Sequence, residues 1–102
     1  MKYKFEAGMN IDDVMKGNEN NCRYFFSPST MRGFNSRICG DMQGKYFISS
    51  EKNTGILSGT NYPRLYTVRE VSEDFGIKTV GKFQEYSSIS AAKTAIKHLL
   101  RG

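Results

Sequence analysis

The chain has no tryptophan, two prolines, two cysteines and a single histidine. Two cysteines and one histidine leave too few ligands for a dedicated His/Cys metal site, and no disulfide framework of the secreted kind is available. Cys22 and Cys39 form no CxxC pair and lie far from His98 in sequence; they are expected as free, partly buried thiols. Long apolar runs are missing, so no segment is expected to cross a membrane. The first residues, Met1-Lys2-Tyr3-Lys4-Phe5-Glu6-Ala7-Gly8, lack the apolar stretch of a signal peptide. Export by that route is not expected, and the cytoplasm is the expected compartment. Acid is in short supply: 15 Lys and Arg stand against 10 Asp and Glu, a net charge of +5. A mimic of DNA needs the opposite sign, so that class is excluded.

What remains is the composition of one globular domain spanning residues 1–102. Hydrophobic residues are 38% and charged ones 25%, which argues against a disordered or fibrous chain. Six Tyr and seven Phe supply bulk that tryptophan does not. Alternation over residues 3–7 predicts a short strand. Asn10 caps a brief helix whose Ile11, Val14 and Met15 share a face, with turn composition over residues 17–21. Residues 23–26 read as extended, and Ser27-Pro28 starts a second helix of about two turns, weakened at Gly33. Residues 36–39 and 45–50 form a hairpin across 40–44. Residues 65–71 are a strand, and residues 77–86 another, with a bulge at Gly81. A last helix begins at Ser88 or Ser90, with Ile89, Ala92, Ile96, Leu99 and Leu100 on one face. The fold class is α+β: an antiparallel sheet of three to five strands, a short N-terminal helical region, and a C-terminal helix packed on the sheet.

Three groups of residues are candidates for binding. Ser27, Ser29 and Thr30 bring hydroxyls to a helix start, and Arg32 and Arg37 follow closely, a pattern suited to phosphate or carboxylate. The alternative is a capped helix with solvated arginines. Lys93, Lys97 and Arg101 recur at i, i+4 and i+8, making a basic rail along the last helix that suits a nucleic-acid backbone or an acidic partner. The same residues also complement the dipole at a helix C-terminus. Residues 76–102 carry five basic residues against Glu85 alone, whereas residues 1–30 balance four against four. The long loop over residues 51–64 offers Ile56, Leu57, Tyr62 and Arg64 either as a partner-contacting tip or as an anchor for the core.

Aromatics interleaved with base at Arg23-Tyr24-Phe25-Phe26, Lys45-Tyr46-Phe47, Arg64-Leu65-Tyr66 and Lys82-Phe83 suit stacking of unpaired bases. They equally suit core filling, since neighbours on a strand point to opposite faces. Catalysis has little to draw on. His98 lies away from the apolar face, and the adjacent acids Asp12-Asp13 and Glu73-Asp74 suit caps and turns. No enzyme activity, cofactor or metal is expected.

Pro28-Ser29-Thr30-Met31-Arg32, Asn35-Ser36-Arg37-Ile38, residues 45–51, Tyr66-Thr67-Val68-Arg69-Glu70 and residues 79–86 resemble a group of small uncharacterised accessory proteins of bacteriophages and mobile elements. The resemblance covers about residues 28–95 and carries no catalytic residues. It implies a bacterial cytoplasm and an accessory role, often antagonism of host defences such as CRISPR nucleases. The order helix, three strands, helix, ending Ala91-Ala92-Lys93-Thr94-Ala95, is similar to the double-stranded-RNA-binding domain. That family's paired lysines correspond here to Ile89 and Ser90, and its loop histidine is missing. The expectation is therefore a non-catalytic inhibitor of a bacterial defence protein or ribonucleoprotein, in the first place a CRISPR effector. The alternatives are a protein that sequesters a signalling nucleotide and a general RNA- or DNA-binding accessory protein. No membrane partner is expected.

Overall fold

Asn10 opens the first helix, α1 (Ile11–Asn20), through a reciprocal cap. Its side-chain oxygen accepts the Asp13 N–H at 2.9 Å, and the Asp13 carboxylate accepts the Asn10 N–H at 3.4 Å. In the computed structural model, residues 4–6, 8–22, 37–52 and 63–101 are described. The α1 N-terminus is also tied to the sheet, because the Ile11 N–H donates to the Asp41 carboxylate at 2.7 Å. The expected turn over residues 17–21 is instead helix as far as Asn20. Gly17 is buried there for a steric reason: a Cβ on it would lie 2.5 Å from the Phe75 ring. The glycine admits a close helix-to-ring contact and does not end the helix. The expected N-terminal strand is not formed over residues 4–6; a backbone bond from the Phe5 N–H to the Glu73 carbonyl at 2.8 Å ties this stretch to the turn over residues 72–76.

Four strands follow: β1 (Arg37–Gln43), β2 (Tyr46–Glu51), β3 (Leu65–Val71) and β4 (Ile77–Val80). They lie in the order β1-β2-β3-β4, antiparallel throughout. The fold is α+β, as the sequence predicts, and the described elements run helix, four strands, helix, within the expected three to five strands. The expected loop at 40–44 shrinks to Gly44-Lys45, since β1 runs on through an irregularity between Cys39 and Gln43. Gly40, at φ 82°, takes the left-handed backbone that this irregularity needs. The expected strand over residues 77–86 is broken. It leaves the sheet after Val80 and returns only at Tyr86, which bridges Tyr66. Glu51, placed in sequence at the start of a loop, is the buried last residue of β2.

The closing helix, α2 (Ile89–Leu100), is capped by Ser88, whose hydroxyl accepts the Ala91 N–H at 3.2 Å. Ala92 and Ile96 bury against Tyr46, Ile48 and Val68. Leu100 does not join them and is 52% exposed. On the opposite face of the sheet, Val14 of α1 packs with Phe47, Val71 and Phe75. Alternation along β2 assigns the two faces; α2 covers Tyr46 and Ile48, α1 packs with Phe47, and every residue of β2 is buried. Cys39 is partly buried and outside any disulfide, as expected; Cys22, at the end of α1, is likewise outside any disulfide but exposed.

Candidate functional site

The α1-facing side of the sheet is apolar at one end and polar at the other. Register sets Phe47 opposite Arg69 and Ser49 opposite Thr67, with Thr79 next to Arg69 on β4. Glu51 is 1% exposed and Arg69 6%. Their ion pair measures 3.0 Å. Desolvating two charges costs several kcal/mol per ion unless other hydrogen bonds complete the shell. Here they do. The Ser49 hydroxyl donates to Glu51 and accepts from Arg69 Nε at 3.0 Å. The Thr67 hydroxyl donates to Glu51 at 2.9 Å and accepts the Gln84 N–H at 2.8 Å. Arg69 also donates to the Thr79 hydroxyl, and the Phe83 ring lies 5.4 Å from its guanidinium. Among the described residues, no buried side-chain polar atom lacks a partner.

Both Glu51 oxygens are thus engaged, by two hydroxyls and a guanidinium, which makes the cluster a clamp. It holds residues 81–85, the excursion between β4 and Tyr86, down on the sheet. Gln84 adopts φ 58° and Gly81 φ 77°, so the chain turns sharply at both points. The sequence does not signal the clamp, because Ser49, Glu51, Thr67 and Arg69 look like solvent-facing positions on alternating strands. The one sequence signal was opposite charge on two strands, and it acquires meaning only once the register is known.

The predicted site residues that are described lie on separate elements, Arg37 on β1, Arg64 before β3 and the rail on α2. Ser27, Ser29, Thr30 and Arg32 lie outside the described residues, as do Ile56, Leu57 and Tyr62. Arg37 is exposed at the start of edge strand β1. Arg64 is not at a loop tip: it is half-buried, and its guanidinium donates to the Ser50 hydroxyl at 2.9 Å. Lys93, Lys97 and Arg101 are all exposed along α2 and its C-terminal cap. No carboxylate among the described residues pairs with any of the three. His98 is exposed on α2, as expected. Asp13 caps α1, and Asp74 accepts the Ser72 hydroxyl and the Gly76 N–H within the β3–β4 turn, the roles expected of those acids.

A second charged cluster sits at the other end of the α2-facing side. Glu70 accepts from Lys78 at 2.8 Å and lies 3.3 Å from Lys45. The Lys78 hydrogen bond, with Lys45 adding to it, holds the Glu70 carboxyl below its ordinary 4.5, and Glu70 in turn raises Lys78 above 10.5. A lowered carboxyl contributes stability above its unfolded value, and that contribution is lost as pH falls through the folded value. The melting temperature is therefore expected to fall below pH 4.5, and Glu70→Gln should flatten that part of the profile. A profile unchanged by Glu70→Gln would show that the two lysines do not hold Glu70 in solution.

Fold and clamp together define a small α+β protein whose described residues form a four-stranded sheet between two helices with an internally satisfied ion pair. Residues 10–97 match the model of DUF7447, a family of unknown function, and the chain belongs to that family. None of the curated proteins and none of the solved structures matches it.

Proposed function

We propose that this protein is a non-catalytic inhibitor of a bacterial defence system, a CRISPR effector first, and that it acts by laying the outer flank of α2 along a phosphate backbone. The observation that supports this reading is the rail itself. Lys93, Lys97 and Arg101 are exposed, one turn apart and without a carboxylate partner among the described residues. At 1.5 Å per residue the rail spans about 12 Å, or roughly three to four nucleotide steps of a strand at ~3.4 Å each. Each lysine or arginine set against a phosphate releases a counterion, and the free energy of that release drives association. The defence target rests on the resemblance of residues 28–95 to phage accessory proteins.

The test is a salt titration of binding to labelled RNA and DNA, single-stranded and duplex, paired with a cleavage assay of a CRISPR nuclease. Affinity should fall steeply with salt. Replacing Lys93, Lys97 and Arg101 by glutamine should reduce the slope of log affinity against log salt by about two to three units. The same variant should melt like the parent and lose inhibition. An unchanged slope, or no nucleic-acid binding at all, would return the rail to complementing the helix dipole.

A further inference from the structure

On the flank of α2 away from the rail, a groove of about 420 Å³ separates the helix from the edge of β4. Val80, Tyr86, Ala95 and Leu99 give it an apolar lining, which Gly81, Glu85 and His98 complete. Its carboxylate comes from Glu85, whose proximity raises the Tyr86 phenol above its ordinary 10.0. The carboxylate lies over Gly81, where a Cβ would come within 3.0 Å of one of its oxygens. Glu85 is exposed and is the lone acid of residues 76–102.

The neighbouring strand edge has backbone groups to offer. Tyr66 exchanges both of its backbone bonds with Tyr86, at 2.8 and 3.0 Å, so the even-numbered residues of β3 direct their N–H and C=O groups toward β4. By register, Lys78 and Val80 pair inward with Glu70 and Val68. Alternation then turns the N–H and C=O groups of Ile77 and Thr79 away from the sheet. Among the described residues, no backbone group takes them up.

We propose that this edge and groove bind an extended peptide segment of a partner protein, which adds to β4 as a fifth strand and places a lysine or arginine side chain in the groove. The added residue opposite Val80 falls at a non-hydrogen-bonded position on the α2-facing side, its Cβ about 4.5–5.5 Å from that of Val80. Lysine and arginine join an apolar stem to a charged head. The stem matches Val80, Ala95 and Leu99, and the head reaches Glu85. Main-chain pairing supplies affinity and the groove supplies selectivity, as in other strand-addition complexes. An acidic side chain at the same place would meet Glu85 as a like charge.

The probe is a labelled seven-residue peptide of alternating threonine and valine with a central lysine, followed by fluorescence anisotropy and by amide hydrogen exchange. Binding should slow exchange at Ile77 and Thr79. N-methylation of the peptide amides that face β4 should weaken binding at least about tenfold. Glu85→Gln, which keeps the side chain's size, should weaken the lysine peptide by about tenfold and leave the melt unchanged. A central glutamate should abolish binding. The proposal is overturned by no binding at millimolar peptide, by unprotected Ile77 and Thr79 amides in the complex, or by equal affinity of the lysine and glutamate peptides. None of these results depends on the rail, so either surface can fail while the other stands.

Discussion

Arg69→Met is expected to destabilise the protein by about 3–5 kcal/mol, a large part of the ~5–15 kcal/mol that holds a typical domain folded. The cause is the carboxylate left behind. Glu51 is 1% exposed and would keep only two hydroxyls as partners, so its charge would be neither solvated nor paired. Shape is not at issue, because methionine retains much of the apolar volume of the arginine stem. Glu51→Gln should cost less, since an amide oxygen still accepts from Ser49 or Thr67 and Arg69 keeps Thr79 and the Phe83 ring. Glu51→Gln combined with Arg69→Met should be more stable than the sum of the single effects implies, with a coupling of about 1–3 kcal/mol. Urea unfolding of the four proteins provides the measurement. An Arg69→Met protein within about 1 kcal/mol of the parent would mean that water reaches the pair in solution.

The second large effect reverses the usual sign of a helix substitution. Gly→Ala in an exposed helix interior gains about 0.8–1 kcal/mol. At Gly17 the added methyl would meet three Phe75 ring atoms at 2.5–2.6 Å. That ring cannot retreat easily: Phe75 is 1% exposed and packs edge-on against Phe5, with centroids 6.2 Å apart. Overpacking of this kind costs about 1–3 kcal/mol, so the net effect of Gly17→Ala should be a loss of stability despite the better helix propensity. Adding Phe75→Leu should recover part of that loss by giving the methyl room. If Gly17→Ala raises the melting temperature, the helix does not sit against Phe75 as described.

Gly17 also shows where local reading of the chain fails. Glycine followed by Asn18, Glu19, Asn20 and Asn21 has turn composition, yet these residues are held by distant partners. Asn18 donates to the Phe75 carbonyl at 2.8 Å, and Asn21 donates to the Asp74 carbonyl at 2.9 Å. Both bonds cross more than fifty residues of chain, beyond the reach of a local pattern. The break after Val80 behaves differently. Gly81 and the change of phase around it marked the site correctly, whereas the size of the excursion depends on the Thr67 and Glu51 groups that hold Gln84.

Interactions within a few residues were legible from the chain alone. The Asn10 and Ser88 caps, the apolar faces of both helices, the limits of β3 and the spacing of the basic rail all depend on neighbours one turn or one pleat away, and periodicity records those directly. Net charge is likewise a property of composition, and it already set aside an acidic mimic. Interactions between strands were not legible. Whether Glu51 and Arg69 are solvated or buried depends on strand register and on what covers the sheet face, and a one-residue slip would turn both side chains over. The groove beside β4 depends on the same information. Glu85 enters it because the buried clamp pins Gln84 from the opposite face, and α2 closes it because Ala92 and Ile96 bury against β2 and β3. Periodicity along one segment specifies which face that segment buries; the identity of the opposing group follows from packing free energy shared among segments distant in sequence.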